Sequence, residues 1–574
     1  MTGSTGEKIC GLKTTHDGAL AVVDGGRLLI SVEAEKVGNS QRHAHLGDLE
    51  VVADQLAANG IDPGEVRVLS LDGWRAASSS AARQIADASG HPVPLALAGY
   101  TDLTDERFRA DPFAEVSGHL PLGGRDVPYR SYPHAIDHAF AAYCTSPFAE
   151  RRAPALILVW DAGTPALLYR FDPVARRLDN LGFASEMSGF LYPVFASSLE
   201  PFRAYWLKGM DGIGPGDGDP EDEALWRWSL SLPGKAMAYA GLGQVEEAAL
   251  EAMASTAPAG SAQPGPIAWT VRCRRKLDEL RLPDASLMAS FQEFLYRELE
   301  RGLRRRLDKL EATDGRLPLC FAGGCALNIK FNARLRASGL FTEVWVPPFP
   351  NDSGSALGAA CTEMVRTTDH VALEWSVFAG PRLAAADDPL PGWERRPCSL
   401  TELAEVLHRE GEPVVLLAGR AEAGPRALGH RSIVAPAVDE GMRDHLNRIK
   451  AREPYRPVAP MCLEQSSRTV FSPGGHDPYM LFDHDVRPTW RARVPAIVHA
   501  DGSARLQTVG PDNEVLFALL TAYERLSGIP VLCNTSANLP GCGFFPDAAS
   551  AMTWGRTRYV WAEHWLYTQS IGDV

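Results

Sequence analysis

The chain has 574 residues, 45% of them hydrophobic and 22% charged, which is the composition of an ordinary globular protein too long for one small core. No run of about 18 apolar residues exists, so no membrane partner is expected. The net charge of −14 argues against a nucleic-acid partner, which requires a basic face, but leaves room for a small phosphate pocket.

The opening "MTGSTGEKIC" lacks the basic and apolar regions of a secretory signal. Ten cysteines without a CxxC pair suit a reducing cytoplasm better than a disulfide framework. Next, "KICGLKTTHDGALAVVDGGRLLISVEAEKV" reads as strand, polar turn, strand, turn, strand, with Asp24-Gly25 as a hairpin signal. The same layout returns at "APALILVWDAGTPALLYRFDPVARRLDNLGF". Two such units predict a duplicated α/β core whose loops "TTHDG" and "WDAGT" face each other across a cleft.

Helical spacing follows over "RCRRKLDELRLPDASLMASFQEFLYRELERGLRRRLDKLEATDG", broken at Pro283. "LPLCFAGGCALNIKFNARLRASG" reads as strand, glycine turn and helix, and "VPPFPNDSGSALGAACTEMV" as turn and helix. Residues 1–365 are therefore taken as the first domain. The stretch 366–395 lacks periodicity and reads as a linker. A second α/β unit, 396–574, has its own strands at "PVVLLAG" and "IPVLCN".

Three stretches carry chemistry. In "PHAIDHAFAAY" Pro133 suits the first helical position, and His134 and His138 share one helical face, able to reach one metal ion. Two core histidines would give the same pattern. Asp161, ending an apolar strand, and Asp352, in the turn "PNDSGS", would complete a mixed N/O site suited to iron, zinc or manganese.

The loops "AGGCALN" and "NDSGSALG" place backbone amides at helix N-termini, where a phosphate can sit. Together with "HDG" they predict a nucleotide cleft from His16, Asp17, Gly323, Gly324, Asn328, Ser353 and Gly354.

Between 420 and 456 eight basic residues meet five acidic ones. Arg443, Arg448 and Arg452 fit a solvated helix face. "EAGPRALGHRS" and "KAREPYRPVAP" instead embed Arg426, Arg431, Lys450 and Arg456 among Gly, Pro and apolar residues, a setting for phosphate oxygens. Arg505 in "HADGSARLQTV" and the hydroxyls of Thr535 and Ser536 in "CNTSAN" join them.

These motifs resemble the O-carbamoyltransferase family that tailors antibiotics and nodulation factors, over almost the whole chain. The resemblance implies an N-terminal domain of the duplicated actin-like ATPase (Kae1-like) type and an α/β YrdC-like C-terminal domain. It implies that ATP, with Mg2+, and carbamoyl phosphate give carbamoyl-adenylate at Lys450, Arg456, Arg505 and Ser536, with Met480 near the nucleotide. The carbamoyl group would then pass to a hydroxyl in the first domain, where His134, His138, Asp161 and Asp352 match ligands of Fe(II) or another divalent metal. His16 matches the family's active-site histidine, assisting deprotonation or holding phosphate. A closed passage between the two sites would protect the labile intermediate.

Departures from the family pattern are His430 for Asn, Ala537 for Phe, "GCGF" at 541–544 and "GKAMAYAGLGQ" at 234–244. The acceptor is expected to be a small hydroxylated natural product. Aromatic residues in "GFLYPVFASSLEPFRAYWLKG" (189–209) favour a macrolide or other polyketide, and acidic "GDGDPEDE" (216–223) an aminoglycoside. The rivals are a threonylcarbamoyl-type tRNA enzyme, opposed by the acidic charge; a hydrogenase-maturation carbamoyltransferase, opposed by the missing paired-cysteine modules; and a non-catalytic nucleotide-dependent regulator. Homo-oligomerisation stays open.

Overall fold

The computed structural model describes residues 8–74, 84–203, 220–256, 265–385 and 388–570. Its first sheet contains β1 (Lys8–Lys13), β2 (Ala19–Asp24), β3 (Arg27–Glu33), β4 (Val66–Asp72), β5 (Val116–Leu122) and β6 (Arg125–Tyr132), in the order β3-β2-β1-β4-β6-β5. The second contains β7 (Ala155–Val159), β8 (Pro165–Asp172), β9 (Arg177–Ser188), β10 (Leu319–Ala322) and β11 (Val344–Trp345), in the order β9-β8-β7-β10-β11. In each, the first three strands form an antiparallel meander and two further strands add in parallel beside the first. The expected duplication is thus present strand for strand, with β5 as an addition at one edge. The first hairpin turns one residue later than its sequence signal. Asp24 still pairs with Arg27, and Gly25 and Gly26 take the positive φ values of 54° and 82° that a two-residue turn requires.

Two helices lie between these sheets, His134–Cys144 and Ser355–Thr367, and every residue of the former is buried. Their small residues have a steric cause. A Cβ on Gly358 would come within 2.1 Å of the Asp137 carbonyl oxygen, and one on Gly11 within 1.9 Å of that of Ala356. Helix against helix and helix against β1 approach so closely that Gly and Ala are what fits. Ala135, Ala139 and Ala142 join Ile9 and Ala19 of the first sheet and Ile157 of the second in one core. Pro133 stands at the N-cap and His134 opens the helix, a correction to placing Pro133 at the first helical position.

The second α/β unit is an eight-stranded sheet: β12 (Trp393–Pro397), β13 (Val414–Leu417), β14 (Arg431–Pro436), β15 (Ala459–Leu463), β16 (Gln507–Val509), β17 (Val531–Ser536), β18 (Tyr559–Ala562) and β19 (Trp565–Gln569). Their order is β12-β19-β18-β13-β14-β17-β15-β16. Helices Leu400–Glu410 and Glu514–Ser527 bury Leu403, Leu407, Leu516, Leu519 and Leu520 in its core.

Between the helix ending at Thr367 and β12 no regular helix or strand is described, as the missing periodicity predicts. The segment is nevertheless stitched to both units by its backbone. Ser31 N–H donates to Ala379 O (2.9 Å), Gly380 N–H to Ala421 O (2.9 Å) and Ala423 N–H to Val377 O (2.6 Å). Lys36 adds a buried tie, donating to the Glu422 and Gly424 carbonyls at 2.5 and 2.7 Å while pairing with Glu33 at 2.8 Å. No described helix is long and apolar enough to cross a membrane.

Candidate active site

The tight helix packing brings His134 and His138 to the ends of β4 and β7 and the turn before Ser355–Thr367. There His134, His138, Asp161 and Asp352 each offer one ligand atom, all within 4.8 Å of one another and all buried. The two Nε2 atoms stand 3.1 Å apart. Asp352 Oδ1 lies 3.5 Å from His134 Nε2 and 3.4 Å from His138 Nε2, and Asp161 Oδ2 lies 3.8 Å from His134 Nε2. Two imidazole nitrogens facing each other and two carboxylate oxygens form a donor set that fits a divalent transition metal. All four residues that the sequence singled out converge.

A second layer of residues, absent from the sequence reading, holds them. Asp72 ends β4 as Asp161 follows β7, and its carboxylate bonds His134 Nδ1 at 2.8 Å, turning Nε2 into the cluster. That shared strand-end pattern was the signal available for Asp72. Lys13, fully buried, reaches Asp72 Oδ2 at 2.9 Å and Asp352 Oδ2 at 3.1 Å. His16 Nε2 lies 3.1 Å from the same Asp352 Oδ2, so one oxygen of Asp352 is anchored and the other faces the histidines. Asp161 Oδ1 accepts the Gly324 N–H at 2.7 Å, and its Oδ2 accepts the Tyr100 hydroxyl.

The electrostatics follow from this packing. Burial pushes the Asp352 carboxyl up, but Lys13 and His134 outweigh it and hold Asp352 well below the usual range. Asp161 is likewise lowered, to about 2, as His134 and His138 overcome burial and the neighbouring Asp352. Burial disfavours a charged His134, yet Asp72 and Asp352 raise it well above an ordinary histidine.

The glycine loop needs correction as a phosphate cradle. Gly323 N–H is given to Pro350 O (2.8 Å), Cys325 N–H to Trp160 O (3.0 Å) and Ala326 N–H to Gly323 O (2.9 Å), while Gly324 N–H serves Asp161. Asn328 caps its helix, accepting from Lys330 N–H at 3.1 Å and Phe331 N–H at 3.3 Å. The Gly324 amide serves the metal-type cluster and the others are spent on the protein's own acceptors instead of awaiting an anion. Asp17 is also engaged, its Oδ1 lying 2.7 Å from His43 Nδ1. Ser353 Oγ donates to Asn351 Oδ1 (2.9 Å), and Gly354 N–H to Asn351 O (2.9 Å).

In the second unit Arg426, Arg452, Arg456 and Arg505 form one like-charged cluster beside Lys450. Burial, then Arg505, Arg42 and Arg456, depress the Arg426 guanidinium; burial and Arg456 depress Arg505 to about 10. Buried Arg426 Nε, Arg452 Nη2 and Arg505 Nε have no hydrogen-bond partner among the described residues. Among the described residues only Arg456 has an acidic partner within 4 Å, Glu453 at 3.8 Å, while Glu453 and Asp477 weakly oppose the depression of Arg452 and Arg505. Burial, Arg452 and Arg42 push Lys450 down to about 7. Its Nζ donates to Ser536 O (2.8 Å), Asn538 O (2.9 Å) and Asn538 Oδ1 (2.6 Å), and Ser536 Oγ donates to the same Oδ1 at 2.6 Å. Lys450 thereby fixes the segment carrying Ser536. Thr535, in β17 opposite Ile433, is buried.

Three placements differ from expectation. Arg431 is 1% exposed, and its guanidinium donates to the carbonyls of Ala418 (2.6 Å) and His430 (2.8 Å) and, more weakly, Gly419 (3.2 Å) and Pro381 (3.4 Å). It staples the connecting segment to the sheet and is not a phosphate ligand. Arg452 belongs to the cationic cluster, its Nε donating to Asn447 Oδ1 at 2.6 Å, not to a solvated helix face. Arg42, from the first unit, is an unforeseen member. Met480 is buried against Val377, Leu428 and Ala459.

The aromatic acceptor motif is largely core. Phe195 stacks on Phe291 with centroids 4.0 Å apart, and Tyr192 and Phe202 pack in the same cluster. The rest of that motif, 204–209, and half of the acidic stretch, 216–219, lie outside the described residues.

Two family models match the chain: Carbamoyltransferase N-terminus over residues 8–263 and 267–361, and Carbamoyltransferase C-terminus over 404–566. Nodulation protein U of Bradyrhizobium diazoefficiens is 43% identical, with 98% of each chain covered. Nodulation protein U of Rhizobium tropici is 42% identical, over 98% of this chain and 96% of the relative. A 3'-hydroxymethylcephem-O-carbamoyltransferase of Streptomyces clavuligerus is 31% identical, over 93% of this chain and 94% of its own.

Proposed function

This chain belongs to the carbamoyltransferase family and is a transferase, and we propose that it moves a carbamoyl group to the hydroxyl of a small metabolite in two ATP-dependent steps. The observation that carries this reading is the separation of two different electrostatic environments, one charge-balanced and one cationic, within one chain. The buried cationic cluster of the second unit suits carbamoyl phosphate and ATP, with Mg2+, which would react to carbamoyl-adenylate. Arg426, Arg452, Arg456 and Arg505 would hold the phosphate oxygens, and Lys450 would hold Ser536 and Thr535 in register with them. Arg42 adds a cation from across the domain boundary.

In the first unit His134, His138, Asp161 and Asp352 would hold a divalent metal, Fe(II) by family likeness. Such a metal supplies Lewis-acid stabilisation to phosphate or carbamoyl oxygens. Asp72 fixes the His134 tautomer, Lys13 and His16 anchor Asp352, and Tyr100 with the Gly324 amide orients Asp161. We read the duplicated sheets as the actin-like (Kae1-like) type and the second unit as YrdC-like. The cephem hydroxyl in one relative's name supports an alcohol acceptor.

Pyrophosphate release from ATP and carbamoyl phosphate, without acceptor, tests the division of labour. Lys450→Ala is expected to lose release. His134→Ala is expected to keep release and lose carbamoyl transfer. Equal release from wild type and both variants would defeat the scheme.

A further inference from the structure

Residues 39–43 of the first unit form a bridge to the second. Gln41 pairs antiparallel with Cys542, Arg42 N–H donates to Gly541 O at 2.8 Å, and Gly543 N–H donates to Ser40 O at 3.0 Å. Asn39 Nδ2 donates to Ser550 Oγ at 2.8 Å. The contact is close enough that a Cβ on Gly543 would sit 1.8 Å from the Glu35 carbonyl oxygen. This bridge carries two neighbouring side chains toward different chemistry. Arg42 acts on the charges of Lys450, Arg426 and Arg456 in the second unit. His43 turns back into the first, with Nδ1 2.7 Å from Asp17 Oδ1.

Asp17 follows His16, which touches Asp352, so two residues link His43 to the metal-type cluster, while its neighbour Arg42 acts on the cationic one. Asp17 and His43 both hold positive φ, 53° and 60°, a backbone conformation uncommon outside glycine and concentrated at functional sites. The surroundings of His43 are acidic: Asp17 takes Nδ1, and Glu35 Oε2 accepts the His43 backbone N–H at 3.0 Å. Arg42 and His45 flank it in the chain. Nε2, on the opposite side of the ring, has no hydrogen-bond partner among the described residues, and the side chain is 11% exposed. A buried carboxylate on Nδ1 and an available Nε2 are how an imidazole is prepared to accept a proton. His16 is less available, because its Nε2 is committed to Asp352.

We propose that His43, oriented by Asp17 on the bridge between the two sites, is the general base for carbamoyl transfer. The assignment rests on the two-step reading above. The acceptor oxygen attacks the carbamoyl carbon and the bond from that carbon to the phosphate oxygen breaks. AMP leaves with that electron pair, and the hydroxyl proton passes to His43 Nε2 and then to solvent. The products are a carbamate ester, AMP and one proton.

The test uses the full chain with ATP and carbamoyl phosphate, with water and molar methanol as acceptors and hydroxylamine as a nucleophile that needs no base. His43→Ala and His43→Gln are expected to keep pyrophosphate release and hydroxyurea formation. Both should lower AMP release and methyl carbamate formation about 10²–10⁴-fold, with added imidazole restoring rate to His43→Ala. Unchanged alcohol transfer in His43→Ala overturns the proposal, including the case where the wild type transfers no faster than free adenylate decays. So does an equal fall with hydroxylamine, which would mark a structural role. A wild type that releases no pyrophosphate overturns the two-step reading itself, and the His43 assignment with it.

Discussion

The two clusters solve burial of charge in opposite ways. In the first unit Lys13 and His134 meet Asp72, Asp161 and Asp352 within hydrogen-bonding or near-contact distances, so each of these charges has opposite neighbours. In the second, Arg426, Arg452, Arg456 and Arg505 crowd together with one acidic contact within 4 Å, Glu453 on Arg456, and only weak opposition from Glu453 on Arg452 and Asp477 on Arg505. A balanced network fixes geometry before anything binds. An unbalanced one stores repulsion that an anion relieves, so its stability depends on ligand.

The contrast is broken most directly at Lys13. Lys13→Met would leave Asp72 and Asp352 buried without their common cation, and a loss of about 3–5 kcal/mol is expected in denaturant unfolding. A loss below about 1 kcal/mol would mean that the network is not balanced by Lys13. The opposite cluster should respond to anions instead. Inorganic phosphate or pyrophosphate at a hundred times its Kd should stabilise the wild type by about 2.7 kcal/mol. Arg505→Ala should need far more ligand for the same rise in melting temperature, while being at least as stable as wild type without it. Equal stabilisation of both proteins would place the anion elsewhere.

A third effect concerns pH. Lys450 falls to about 7 in the folded chain from an ordinary lysine value of 10.5, so the unfolded chain binds more protons between those limits. Its cost to stability is full below pH 7 and is relieved as pH rises toward 10.5. The stability difference between wild type and Lys450→Met should therefore change in the wild type's favour over that window. A pH-independent difference would show that the three carbonyl acceptors keep Lys450 charged.

Much of this was legible in the linear chain. Apolar alternation and turn signals located the repeated meanders, and the i,i+4 spacing of His134 and His138 with strand-end and turn aspartates marked four donors that do converge. Eight bases in a short stretch of an acidic chain marked the second cluster. The errors share a cause. Arg426 and Arg431 stand five residues apart in similar surroundings, yet one has an unpaired buried nitrogen and the other donates to the carbonyls of Ala418, His430, Gly419 and Pro381. The amides of 323–326 read as free because their acceptors, Pro350, Asp161 and Trp160, are distant in sequence or on another strand.

The sequence by itself determined which residue types could do chemistry and on which local elements they sit, because periodicity, turn residues and charge density are short-range properties. Only the tertiary structure decided which of them are spent on the protein's own backbone and which are left for a ligand. It alone placed Lys13 and Asp72 beneath the histidines and carried Arg42 to a cluster whose other arginines lie more than 380 positions away. The physical reason is that a buried polar group must be paired, and pairing is settled by whatever the fold brings within about 3 Å, at any separation along the chain.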